Sequence, residues 1–249
     1  MNPYPVITAH GISSAGFNSP TLTSLKDIQR WLLACKQNQI RFETLESVLN
    51  SKGARLACLT FDDALTSILK VVEYLPSPGT IFVATDYVGK TNRWKGQPSW
   101  VPEEKTLSWS QIKELSQAGW CIGAHSATHP DFSRCDVQNI RNEIEFSKKT
   151  VEDQVGQACR HFAYPYGKAP LRAQEIVEKS GMIGYGTEPG WCDERQDRKC
   201  LPRLDIYDLV RPGMASNWAW DEPDGFDLQL MKYKRWIGAG IRNVRRLAS

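Results

Sequence analysis

The 249-residue sequence lacks several features that would assign it to a class at once. No apolar run approaches the roughly 20 residues that a membrane-spanning helix requires, so no such helix is predicted. The first residues contain neither the basic stretch nor the apolar core of a signal peptide, and we therefore expect a cytoplasmic protein. The net charge of +3 is too small to indicate a nucleic-acid partner.

Cysteine is present seven times but never as a Cys-x-x-Cys pair. An odd, scattered set favours reduced thiols over a disulfide framework or a zinc knuckle. Cys192 and Cys200, which flank a charged loop, form the one pair expected in an oxidising compartment. Internal repeats and low-complexity linkers are absent as well, so we predict a single domain over residues 1–249.

Short apolar stretches alternate with segments of helical periodicity along the chain. The predicted strands are Pro5 to Ala9, Ala54 to Thr60, Gly79 to Ala84, Trp120 to Gly123, His161 to Tyr164 and Met182 to Tyr185. The predicted helices are Leu25 to Gln37, Leu65 to Leu75, Trp109 to Ala118, Gln138 to Val155 and Pro170 to Lys179. This alternation predicts an α/β fold with a parallel sheet, either open or closed into a barrel.

Polar side chains follow four of these strands, where parallel sheets place their chemistry. They are His10, Asp62 with Asp63, His125 with His129, and Tyr166. Histidines four apart lie on one face of a helical turn, and only four histidines exist in the chain. With a carboxylate at a neighbouring strand end they predict a divalent-metal site that leaves positions open for water and substrate. Taken alone, Asp63 could equally cap a helix.

The ordered motifs of residues 54–205 resemble the polysaccharide deacetylase family, also called the NodB-homology or carbohydrate esterase 4 group. The similarity rests on Thr60-Phe61-Asp62-Asp63, Gly79 to Val83, Leu107-Ser108-Trp109, Gly119 to Pro130, Phe162 to Gly167 and Gly181 to Gly190. It implies an irregular (β/α) barrel of about seven parallel strands. It also implies a metal-dependent hydrolase that removes an N-acetyl or N-formyl group from an amino sugar. Asp62 would be the general base, Asp63, His125 and His129 the metal ligands, and the Tyr166 backbone N–H an oxyanion donor.

Two departures from the family pattern lead to further predictions. No histidine follows His161, so the usual C-terminal general acid is missing. The segment Ile7 to Ile12 resembles the start of a circularly permuted subgroup, the poly-N-acetylglucosamine deacetylases, and this resemblance implies His10 as the acid; a structural histidine is the alternative. Ala163 also stands where the family carries an arginine, and we therefore name Arg203 as the partner of Asp62, with a surface arginine as the alternative.

The sequence leaves alternatives for the tryptophan-containing loop, the basic tail, the metal, the substrate and the function. The tryptophans of the 86–106 loop, Trp94 and Trp100, could stack on sugar rings or cover the barrel. The basic tail at about 228–249 could rest on an anionic membrane or dock on the barrel. We expect Zn²⁺, with Co²⁺, Ni²⁺ or Mn²⁺ as alternatives, and a lipid-linked or nucleotide-linked precursor of a surface polysaccharide such as O-antigen. A non-sugar amide or cyclic-imide hydrolase and an inactive carbohydrate-binding module are the competing functions.

Overall fold

The computed structural model describes residues 3–16, 18–48, 55–193, 195–210, 228–229 and 231–232. The strands are β1 (Val6–Ala9), β2 (Gly11–Ser13), β3 (Leu22–Ser24), β4 (Arg41–Phe42), β5 (Leu56–Phe61), β6 (Thr80–Val83), β7 (Cys121–Ala124), β8 (His161–Ala163), β9 (Ile183–Tyr185) and β10 (Leu204–Asp205). The α-helices are α1 (Leu25–Gln37), α2 (Leu45–Val48), α3 (Leu69–Val72), α4 (Trp109–Gln117), α5 (Val137–Val155), α6 (Leu171–Lys179) and α7 (Ile206–Leu209). Short 3₁₀ turns at Thr66–Ile68, Thr85–Tyr87, Phe132–Arg134 and Pro165–Gly167 follow four of the strands.

Seven strands form one curled parallel sheet in the order β10-β1-β5-β6-β7-β8-β9. β4 adds to the start of β5, outside this path. The segment between β9 and β10 connects the two sheet edges, because Leu201 pairs with Tyr185 while Leu204 pairs with Ile7 of β1. The predicted irregular (β/α) barrel of about seven parallel strands is confirmed. Its circular permutation stays a prediction.

The sequence explains why these elements form. All six residues of β5 are buried, as expected for a parallel strand that is covered on both faces and is therefore apolar throughout. α4 begins with a capping box in which Ser108 and Gln111 bond each other's backbone N–H groups. α5 begins at the N-cap Asp136 and ends at Gly156, whose φ of 75° is left-handed. These helices pack their apolar faces against the outside of the sheet.

The helix predicted over Leu65 to Leu75 is much shorter than expected. The structure has the Thr66–Ile68 turn and then the single turn of α3. Leu65 instead forms a bridge with Thr106, and the Thr66 N–H donates to the Lys105 carbonyl. Backbone groups that would begin a helix are therefore paired with another loop. The strands β2, β3, β4 and β10, each of two or three residues, were not predicted either.

The remaining general predictions have different outcomes. No helix within the described ranges is long and apolar enough to cross a membrane. All seven cysteines are free thiols, so Cys192 and Cys200 are not bonded to each other, and burial raises the pKa of Cys192 to about 12. Most of the tail at 228–249 lies outside the described residues. Of its described part, Leu228 and Met231 are buried in the core.

Candidate active site

One cavity of about 120 Å³ opens at the carboxyl ends of β1, β5, β7 and β8. Ala9 pairs with Phe61, and Ala124 pairs with Phe162, so the residues that follow these strands meet at one edge of the sheet. The cavity is lined by all the predicted site residues except Arg203, namely His10, Asp62, Asp63, His125, His129 and Tyr166. Trp94 and Trp100 of the 86–106 loop are also part of its lining.

Asp63, His125 and His129 place three ligand atoms together. The Asp63 Oδ1 lies 3.5 Å from His125 Nε2 and 3.4 Å from His129 Nε2, and the two Nε2 atoms are 3.2 Å apart. These separations match the edge of a tetrahedron with metal–ligand bonds of about 2.1 Å, which is about 3.4 Å. The buried Asp63 Oδ1 also accepts no hydrogen bond from the described residues. The donor set therefore fits a small divalent cation.

The backbone that presents these ligands is left-handed at several points. Asp63 has φ of 70°, Ser126 of 63° and His129 of 57°. The predicted helical turn over His125 to His129 is therefore wrong: the segment is a tight loop in which the Ser126 Oγ accepts the His129 N–H at 2.9 Å. The helix-capping alternative for Asp63 is also wrong, because the next turn begins after Leu65.

Glu143 of α5 holds this histidine loop in place. Its Oε2 accepts the N–H groups of Ala127 and Thr128 at 2.9 and 2.8 Å, and its Oε1 accepts the Thr128 hydroxyl at 2.6 Å. One carboxylate thus satisfies three donors of a loop that has no helical hydrogen bonds of its own. The role of Glu143 is not evident from the sequence, since an acidic residue on a helix is ordinarily solvated.

The two candidate histidine ligands are oriented by different contacts. His125 Nδ1 donates to the Ala163 carbonyl at 2.7 Å, which leaves the Nε2 lone pair free for a metal. His129 Nδ1 is buried and has no hydrogen-bond partner among the described residues. Instead the His129 ring stacks on Trp94, with centroids 4.1 Å apart, and meets the edge of Tyr166 at 4.6 Å.

Asp62 forms a buried ion pair with Arg203. The Arg203 Nη1 and Nη2 atoms lie 2.7 and 2.8 Å from the two Asp62 carboxylate oxygens, and the arginine side chain is fully buried. Burial raises the pKa of Asp62, but the charge and hydrogen bonds of Arg203 outweigh it and hold the pKa below its usual value. The surface-arginine alternative is therefore wrong, and Asp62 is an oriented carboxylate beside the candidate metal ligands.

His10 and Tyr166 occupy the cavity from other sides. His10 follows β1 directly and is half-buried. Tyr166 has φ of 55° within the Pro165–Gly167 turn, and its hydroxyl accepts the Trp94 Nε1–H at 3.0 Å. Burial raises the pKa of Tyr166 to about 12, so the hydroxyl stays protonated at neutral pH.

The two tryptophans of the 86–106 loop differ in exposure. The Trp94 side chain is 3% exposed and packs against the His129 ring. Trp100 is 63% exposed at the cavity mouth. The sequence left covering and sugar stacking as alternatives for both residues; burial favours covering for Trp94 and leaves Trp100 accessible to a ligand.

Comparison with known proteins identifies related sequences and folds. The profile of the family described as polysaccharide deacetylase matches residues 50–184. A chitooligosaccharide deacetylase of Bradyrhizobium sp. (strain ANU 289) is 28% identical over 170 residues, which cover 65% of this chain and 68% of that protein. Two solved structures share the fold at 21% identity. IcaB from Ammonifex degensii has a TM-score of 0.70, with 88% of this chain and 97% of that chain covered. A polysaccharide deacetylase from Bacillus cereus has a TM-score of 0.69 and covers 82% of this chain, which spans 65% of that longer protein.

Proposed function

We propose that this chain, which belongs to the polysaccharide deacetylase family, hydrolyses the N-acetyl group of an amino sugar with a divalent cation bound to Asp63, His125 and His129. One observation carries the proposal. Three ligand atoms lie 3.2 to 3.5 Å apart at the floor of a cavity, directly beside a second carboxylate that a buried arginine orients. Burying charged groups is energetically costly, and a carbohydrate-binding module without activity would not require this arrangement of them.

The residues of the site divide the chemistry among them. A divalent cation held by Asp63, His125 and His129 would supply a Lewis acid for the amide carbonyl and for the attacking water. Asp62 accepts the proton of the attacking water, and Arg203 keeps this carboxylate ionised and aimed at the cavity. The Tyr166 N–H stabilises the oxyanion of the tetrahedral intermediate. His10 donates a proton to the departing amine, without which the C–N bond does not break readily.

The cavity supports a saccharide substrate. Trp100 presents an accessible indole at its mouth, on which the apolar face of a pyranose ring can stack. The related Bradyrhizobium protein is named for chitooligosaccharides. Within this class we propose an N-acetyl or N-formyl amino sugar of surface-polysaccharide biosynthesis, with lipid-linked and nucleotide-linked precursors to be tested first. We also propose that the protein is cytoplasmic and that its 228–249 tail contacts the membrane surface.

Acetate release from matched substrate sets tests the function. The protein is reconstituted separately with Zn²⁺, Co²⁺, Ni²⁺ and Mn²⁺ and incubated with N-acetylglucosamine oligomers, N-acetylated sugar nucleotides, lipid-linked sugars and a cyclic imide. We expect metal-dependent turnover of at least one amino sugar, and losses of 100-fold or more in Asp62→Asn. Turnover of the cyclic imide alone would support the competing C–N hydrolase function. Near-wild-type turnover in His10→Ala would remove His10 from the mechanism.

A further inference from the structure

Trp94 contacts two parts of the active site at once. Its ring stacks on the metal-ligand candidate His129 at 4.1 Å and 30°, and its Nε1–H donates to the Tyr166 hydroxyl at 3.0 Å. A third aromatic residue, Tyr87, packs edge-on against it at 5.5 Å. A loop tryptophan that is 3% exposed is therefore in contact with elements from two different strand ends.

The stacking of Trp94 on His129 compensates for a missing hydrogen bond. Histidine ligands are usually oriented by an acceptor on the ring nitrogen that faces away from the metal, as the Ala163 carbonyl does for His125. For His129 that nitrogen is buried and unpaired among the described residues. Three rings contact this imidazole: Trp94 lies against its face, and Tyr166 and His125 meet it edge-on, at 78° and 70°. Of these contacts, the Trp94 stack is the face-to-face one.

The hydrogen bond of Trp94 acts on Tyr166. A non-glycine residue with φ of 55° is held in a sparsely populated conformation by its surroundings. The adjoining position, Gly167, has no room for a larger residue, because a Cβ there would lie 1.9 Å from the Thr187 hydroxyl oxygen. The Trp94 indole secures the other end of Tyr166, its hydroxyl, and so limits rotation of the residue that carries the proposed oxyanion donor.

The loop that carries Trp94 is itself well connected. Asn92 bonds the Pro102 carbonyl through Nδ2 and the Glu104 N–H through Oδ1, at 3.0 and 2.9 Å. The Lys90 N–H donates to Thr106 Oγ1 at 3.1 Å. These bonds close the base of the loop and leave Trp94 little freedom. A rigid support is what a residue needs if it is to hold others in place.

We propose that Trp94 is a positioning residue that sets the orientation of His129 by stacking and that of Tyr166 by its hydrogen bond. The kinetic part of this inference rests on the proposed deacetylase function, whereas the metal-binding part does not. Loss of the stack weakens the metal site, and loss of the hydrogen bond weakens only the oxyanion donor. The two contacts of one side chain therefore have separable consequences.

A set of variants of the full chain tests this separation. Trp94→Phe keeps an aromatic ring beside His129 but removes the N–H donor, Tyr166→Phe removes the acceptor, and Trp94→Leu removes both the ring and the donor. Metal affinity is measured with Zn²⁺ alone in competition with a chromophoric chelator, and kcat and KM are measured by acetate release. Trp31→Phe is the control, since it makes the same change at a fully buried position away from the cavity.

We expect Trp94→Phe and Tyr166→Phe each to lower kcat about 10-fold, with Zn²⁺ affinity within about threefold of wild type. The double variant should be no worse than either single variant, because both remove the same hydrogen bond. Trp94→Leu should lower Zn²⁺ affinity 10- to 100-fold. Trp31→Phe should change neither quantity.

Wild-type Zn²⁺ affinity in Trp94→Leu, or fully additive kcat losses in the double variant, would overturn the inference. Unfolding of the metal-free variants is followed in parallel. If Trp94→Leu does not fold, the inference is tested by whether the kcat losses of Trp94→Phe and Tyr166→Phe are additive in the double variant. If the wild-type chain releases no acetate but Trp94→Leu still weakens Zn²⁺ binding, the proposed function fails and the positioning of His129 stands.

Discussion

Removal of the Arg203 side chain tests how the site is held together. Arg203→Met replaces a fully buried guanidinium with a shorter, unbranched apolar side chain. Four hydrogen bonds are lost: two to Asp62, one from Nη1 to the Thr60 hydroxyl at 3.2 Å and one from Nε to the Gly186 carbonyl at 2.8 Å. Arg203 also lies over the Phe82 ring at 5.5 Å, a contact that methionine keeps in part.

The expected loss of stability follows from the Asp62 carboxylate, which remains buried in the variant. Asp62 is 3% exposed, so without Arg203 it is an uncompensated buried carboxylate. Breaking a buried ion pair by removing one partner costs about 3–5 kcal/mol. That is a large part of the 5–15 kcal/mol that stabilises a typical protein. Arg203→Lys should lose less than Arg203→Met, because the charge remains while the two-pronged geometry does not.

The assay is urea unfolding of the metal-free proteins at pH 7, because bound metal would add its own stabilisation. Asp62→Asn and the double variant Asp62→Asn with Arg203→Met complete a cycle with the single variants. We expect a coupling of at least about 2 kcal/mol between the two positions. A cost below about 1 kcal/mol for Arg203→Met, or additive effects in the cycle, would show that the pair does not hold the site.

Three further predictions concern other parts of the site and its support. Glu143→Gln weakens the hydrogen bonds that Glu143 accepts from the Ala127 and Thr128 N–H groups. It should lower Zn²⁺ affinity about 10-fold, measured by chelator competition. Unchanged affinity would mean that the histidine loop keeps its conformation without Glu143. Trp100→Ala should raise KM for saccharides about 3- to 10-fold at constant kcat. Phe146→Ala on α5 is the control, because Phe146 is 55% exposed against 63% for Trp100 and should leave KM unchanged. A wild-type KM in Trp100→Ala would exclude sugar stacking. Gly184→Ala should lower the free energy of unfolding in urea by about 1–3 kcal/mol, since a Cβ there would lie 2.0 Å from the Lys199 carbonyl oxygen. A wild-type midpoint would show that the segment containing Lys199 moves to make room.

The parts of the fold that were predictable depend on local pattern. Parallel strands buried on both faces are apolar throughout, and amphipathic helices repeat every 3.6 residues, so both can be recognised within a short window. β5 and α5 were found in this way. The shortened helix after Asp63 was not, because its first backbone groups pair with the 105–106 segment, which is remote in sequence. Strands of two or three residues are likewise formed by their neighbours rather than by their own composition.

The candidate site shows the same division between local and tertiary information. Asp63, His125 and His129 could be named from the sequence because two of only four histidines and a carboxylate follow strands, and parallel strands end at a common edge. The role of Asp62 as base came from the family resemblance. Arg203 could be named only as a candidate, and the tertiary fold brought it from 141 residues away onto Asp62. Glu143 and Trp94 could not be recognised as supports at all. A carboxylate that accepts loop N–H groups, or an indole that stacks on an imidazole, acts through distances and angles that exist only once the chain has folded.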